Sequence, residues 1–143
     1  MKVIETKYNG YNFRSRLEAR WAVFFDANRI RYEYEKEGFD LGKAGCYLPD
    51  FYLPTLDAWF EVKPDVPTDE EDAKARALND FTEKPVIMSA ESFVNPKIPP
   101  RCYLYAADTN DSGGGDYRGI GIFWFPEKGM IRFWLDEDLT DRC

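Results

Sequence analysis

The architecture of this chain turns on Tyr47-Leu48-Pro49-Asp50-Phe51-Tyr52-Leu53-Pro54-Thr55-Leu56-Asp57-Ala58-Trp59-Phe60-Glu61-Val62-Lys63. Two runs rich in aromatic residues, 47–53 and 58–63, flank a short turn at 55–57. Pro54 and Pro64 close the runs, because proline lacks the N–H that a ladder needs. Two strands joined by so short a turn make a hairpin. Asp50 and Glu61 lie on opposite arms of it, eleven positions apart, so cross-strand pairing is geometrically available to them. Lys63 follows Glu61 by two residues and therefore projects from the same face of its strand.

N-terminal to this stretch, Leu17, Trp21, Phe24 and Phe25 recur at helical spacing between Ser15 and Asn28, with Arg16, Arg20 and Asp26 on other faces. Ser15 is the expected N-cap and Asn28 the end signal. Residues 30–35 alternate apolar and charged with period 2, which predicts a strand with one wet face. A loop containing Gly38, Gly42 and Gly45 leads into the hairpin. Beyond it, Thr68 and Glu71 occupy capping-box positions with acids in the first turn, predicting a helix to about residue 83. Residues 85–89 read as a short buried strand. Pro96, Pro99 and Pro100 mark a loop, 102–107 a strand, 110–115 a polar flexible connector, and 119–125 with 130–135 an aromatic-rich hairpin. The order helix, strand, hairpin, helix, strand predicts an α/β sandwich on a mixed sheet, with an extra β hairpin at the C-terminal end.

The 143 residues fit one domain, and a hydrophobic fraction of 44% with 17% aromatics excludes the disordered class. Cys46, Cys102 and Cys143 are odd in number and scattered, and histidine is absent, which argues against a disulfide framework or a structural zinc site. The first residues lack the apolar run of a signal peptide, and no stretch approaches the roughly 20 apolar residues of a membrane span. A cytoplasmic protein without membrane contact is expected. The net charge of −7 weighs against a nucleic-acid partner, since duplex binding rests on Lys and Arg. Its distribution softens that objection: residues 1–63 balance ten bases against ten acids, and the whole excess falls in 64–143, with nine against sixteen. Acids in the first part that held a divalent cation would leave a locally basic surface.

Two carboxylates converging on one spot repel unless something positive lies between them, and Mg²⁺, which prefers oxygen ligands, is the usual solution. An ammonium beside them, that of Lys63, can orient a metal-bound water and help its deprotonation, or stabilise charge developing on a phosphate. Pro49-Asp50 followed by Glu61-Val62-Lys63, and preceded by Glu18 in Phe13-Arg14-Ser15-Arg16-Leu17-Glu18, resembles the PD-(D/E)XK nuclease superfamily. It especially resembles the branch of that superfamily that includes phage junction-resolving endonucleases and the DNA-cleaving subunit of certain transposons. The resemblance covers roughly residues 10–90, the core, and leaves 100–143 as a C-terminal β extension of the single domain 1–143. It implies a restriction-endonuclease-like α-β-β-β-α-β core, with Asp50 and Glu61 as metal ligands and Val62 offering its backbone carbonyl. It further implies Lys63 as the water-activating group and Glu18 as the helix acid that completes the shell. Mg²⁺ or Mn²⁺ is the implied cofactor and DNA the implied substrate.

Each residue also has a plainer reading. Glu18 stands three residues after Ser15 and can close a capping box. Asp50 can begin a turn, although it precedes strand-forming residues where Asp is disfavoured. Glu61 and Lys63 can be the wet face of an edge strand. Arg14, Arg16 and Arg20 cluster at the start of the first helix, where they serve either to grip DNA phosphates or as solvated charges. Trp124, Phe125, Phe133 and Trp134 serve either core packing or stacking and dimer contact, and the acids at 69–72 and 136–138 are helix-start and solubility charges. The reading that unites the first set is a metal-dependent endonuclease hydrolysing DNA, encoded by a phage or mobile element and active alone, as a homodimer or with a host or phage protein. The rival is an inert, acidic nuclease-fold binding protein that blocks a host or defence protein, for which the pI near 4.7 speaks.

Overall fold

The computed structural model describes residues 5–94, 100 and 102–106 in full, and the backbone of 117–125 and 130–134. The sequence expectations for Pro96, Pro99, 110–115, 136–138 and Cys143, and for the side chains of Trp124, Phe125, Phe133 and Trp134, lie outside the described residues. The chain begins with a hairpin, β1 (Thr6–Tyr8) and β2 (Tyr11–Phe13), which the sequence reading passed over. Asn9 and Gly10 join its strands with φ of 53° and 84°. Both are left-handed, which is the requirement of the two-residue turn that matches strand twist. Helix α1 (Arg16–Ala27) follows, capped by Ser15 and ending at Asn28, as the periodicity predicts.

The main sheet runs β11-β10-β9-β8-β7-β6-β3, built from β3 (Glu33–Tyr34), β6 (Phe51–Leu53), β7 (Ala58–Val62), β8 (Val86–Ser89), β9 (Cys102–Tyr105), β10 (Tyr117–Phe125) and β11 (Met130–Trp134). Among the described strands only β7 and β8 pair in parallel, so the sheet is mixed. Helix α2 (Asp69–Thr82) is the crossover that a parallel pair requires. Its start is a complete capping box: the Thr68 hydroxyl accepts the Glu71 N–H at 3.1 Å, and Glu71 Oε1 accepts the Thr68 N–H at 3.0 Å. A second small hairpin, β4 (Phe39–Asp40) and β5 (Cys46–Tyr47), is joined by the 3₁₀ turn Gly42–Ala44.

Two of the expected strands are shorter than their patterns. Of 30–35 only Glu33–Tyr34 pair, because Glu35 takes a φ of 49° and gives its N–H to the Asp50 carbonyl at 2.9 Å. The run 47–53 splits: Tyr47 pairs back to Phe39, and the ladder with β7 starts only at Phe51. Asp50 is therefore not mid-strand but in the bend that leads into β6.

The alternation along β7 sorts the core into two layers. On one side Phe60 and Phe51 pack under α1, with Trp21 at 4.6 Å from Phe60 and Phe25 at 5.2 Å from Phe60 and 5.3 Å from Phe51, ring centre to ring centre. On the other side Trp59, Val86, Met88 and Tyr105 pack with Ala75 and Leu78 of α2. Burying both faces is what a parallel pair demands. No helix among the described residues is long and apolar enough to cross a membrane.

Candidate active site

The β6–β7 register pairs Phe51 with Phe60, which carries Asp50 to a place beside Glu61. The two residues are tied twice over. The Asp50 N–H donates to Glu61 Oε1 at 2.7 Å, and the Val62 N–H donates to Asp50 Oδ2 at 2.8 Å. Two backbone donors that a continuous ladder would have used are thus spent on two carboxylates. Such charge-assisted bonds from fixed backbone hold both side chains firmly. The Glu61 side chain is 6% exposed. It opens toward α2, where Lys63 Nζ lies 3.8 Å from Glu61 Oε2 and 3.5 Å from Glu71 Oε2. The Lys63 N–H bonds the Ser89 carbonyl at 2.8 Å and so fixes the root of that side chain on the sheet.

The acids are frustrated. Burial, then the charge of Glu61, then that of Glu18 push the Asp50 pKa well above the usual carboxylate range. Burial also raises Glu61, against the pull of Lys63 and the donors from Asp50 and Tyr47. The Tyr47 phenol is raised by burial, by the Glu61 charge and by its bond to Glu61, so it remains a neutral donor. Burial works against the charge on Lys63, but Glu61, Glu71 and Asp50 together hold its pKa above the ordinary value. Lys63 is an ammonium at neutral pH.

These side chains line a cleft of about 260 Å³ that also takes in Cys46, Leu48, Glu71, Lys74 and Met88. Of the four residues expected to act together, Asp50, Glu61 and Lys63 share this cleft and Glu18 does not line it. The reason lies in the layers: α1 sits on the Phe51/Phe60 side, whereas Glu61 and Lys63 open to α2. Ser15 Oγ accepts the Glu18 N–H at 3.1 Å, but the Glu18 carboxylate does not complete a capping box with it. Instead Tyr34 Oη–H donates to Glu18 Oε1 at 2.5 Å, and Tyr34 Oη accepts the Arg14 N–H at 3.0 Å. Glu18 is buried there, near enough for its charge to reach Asp50. The Val62 side chain is buried, and its amide serves Asp50.

Among the described residues no three His, Cys, Asp or Glu side chains stand together as a ready-made metal site. Arg14, Arg16 and Arg20 do not line the cleft. Arg14 Nε pairs with Glu35 Oε2 at 2.6 Å, Arg16 is exposed, and Arg20 lines a separate apolar groove with Val23, Phe24, Phe93 and Val94. Among the cleft residues that the sequence reading missed are the polar side chains of Tyr47, Glu71 and Lys74. Glu71 was legible as a cap, and its second oxygen's hold on Lys63 required the tertiary fold. No protein-family model, curated protein or solved structure matches the chain.

Proposed function

We propose that the protein is a metal-dependent phosphodiesterase that hydrolyses DNA, with a restriction-endonuclease-like core and a site of the PD-(D/E)XK kind. One observation carries the reading: Asp50 and Glu61, on adjoining arms of one hairpin, are locked against each other in a cleft with the Lys63 ammonium 3.8 Å from Glu61. A fold gains no stability from burying two repelling carboxylates, so their retention in a cleft points to a ligand.

The residues fit a hard divalent cation. Asp50 and Glu61 supply carboxylate oxygens and histidine is absent from the chain. Mg²⁺ characteristically takes only one or two protein carboxylates and fills its remaining positions with water and substrate phosphate. A pair, rather than a cage of three, is enough. Glu18, whose charge reaches Asp50 from the α1 side, adds negative potential and is the third acid of the set. When bound, the cation supplies Lewis-acid stabilisation of the phosphoryl oxygens and acidifies water.

The chain's own residues do the rest. The Val62 and Asp50 amides orient the two carboxylates, and Tyr47 donates to Glu61. Lys63, held charged between Glu61 and Glu71, stabilises negative charge developing on the phosphate and can donate a proton. In that state it has no lone pair with which to act as a base.

The test is incubation of the purified protein with linear, circular, single-stranded and branched DNA in Mg²⁺, in Mn²⁺ and in chelator. Metal-dependent cutting that is abolished by Asp50→Ala and by Lys63→Ala is expected. No cutting of any form, or full activity in either folded variant, overturns the proposal.

A further inference from the structure

The cleft is short of usable positive charge for the polyanion it is proposed to hold. Asp50, Glu61 and Glu71 line it with Lys63 and Lys74. Lys63 is committed to two of those acids, at 3.8 Å and 3.5 Å. Lys74 is different. It sits on α2 three residues after Glu71, on the same side of the helix, with a half-buried side chain facing the cleft, and it has no ion-pair partner among the described residues. A half-buried lysine at a cleft wall can lay its aliphatic stem along the protein and turn its amine to the opening.

We infer that Lys74 is a substrate-binding residue that takes a phosphate of the DNA strand lying in the cleft. The inference rests on the proposed DNA-hydrolysing function and adds a residue to it. A bound cation would neutralise Asp50 and Glu61, and Lys63 is positioned for the reacting group. Lys74, across the cleft on α2, would then grip a phosphate of the same strand and keep the backbone in register. Such a contact carries no sequence information; it contributes affinity through release of condensed counterions.

The test uses the full chain in an Asp50→Asn background, which the proposed mechanism makes unable to cut while leaving the Val62 N–H an oxygen to bond. Binding of a fluorescently labelled DNA duplex is measured in Mg²⁺ by anisotropy at a series of KCl concentrations. Adding Lys74→Gln should weaken binding several-fold at each salt concentration. It should also flatten the slope of log K against log[KCl] by about 0.9, the signature of one lost phosphate contact. Lys74→Arg should keep both. Unchanged affinity and slope in a folded Lys74→Gln protein overturn this inference and leave the proposed function standing. A parent Asp50→Asn protein that binds no DNA, from a wild type that cuts none, overturns both.

Discussion

Asp50→Asn should make the metal-free protein more stable at alkaline pH, and Asp50→Ala should not. The wild-type carboxylate is raised by burial and by the neighbouring charges of Glu61 and Glu18, so the folded state binds its proton more tightly than the unfolded chain does. The stability this proton contributes is fully present below the unfolded pKa and is lost as pH rises through the folded one. Asn keeps an oxygen for the Val62 N–H at 2.8 Å and presents an NH₂ to Glu61 where the carboxyl had its proton. Exchanging a charge-assisted bond for a neutral one costs about 1 kcal/mol. Removing a buried ion that faces like charge relieves several times that. The net gain is about 1–3 kcal/mol, or about 3–9 °C for a domain of this size. Ala relieves the same repulsion but strands the buried Val62 N–H, at about 1–3 kcal/mol, and so returns the gain. Thermal unfolding in chelator from about pH 5 to about pH 9 separates the three proteins, because only the wild type should lose this increment of stability as pH rises. Asp50→Asn melting below wild type at the alkaline end, or no gap between the Asn and Ala variants, would refute the reasoning.

Mn²⁺ should raise the wild-type melting temperature, by the equivalent of about 2.7 kcal/mol at a hundredfold excess over its dissociation constant. The effect should grow with pH, because the cation displaces the proton that Asp50 and Glu61 retain, and it should vanish in Glu61→Ala; calorimetry across pH checks both. Gly10→Ala should destabilise the protein by about 1 kcal/mol in urea unfolding. The position has a φ of 84° with open space around it, so strain alone sets the cost, and an unaltered midpoint would exclude the turn as described.

The helices were the most legible part of the chain. Ser15 and the apolar spacing from Leu17 to Phe25 fix α1, and Thr68 with Glu71 fixes α2, because capping and helical periodicity are local properties. The hairpin that holds Asp50 and Glu61 was legible for the same reason, since eleven residues and two prolines leave little other choice. Strand lengths were not. The pattern of 30–35 continues past the point where Glu35 turns its N–H to Asp50, and the pattern of 47–53 hides a change of partner at Pro49, both decided by tertiary pairing. The Asn9-Gly10 turn was written in the sequence and was missed between strands of three residues each. The side on which α1 docks was not encoded in any local period. It separates Glu18 from the cleft and ties it to Tyr34.

The strand order β7-β8-β9-β10-β11 sets a distance as well as a topology. Four inter-strand steps of about 4.8 Å put the outer edge of the C-terminal ribbon roughly 19 Å from the strand that carries Glu61. A lineage could lengthen, trim or rebuild that margin to suit new company without disturbing a single atom around the paired acids, much as a handle can be recut while the blade keeps its edge.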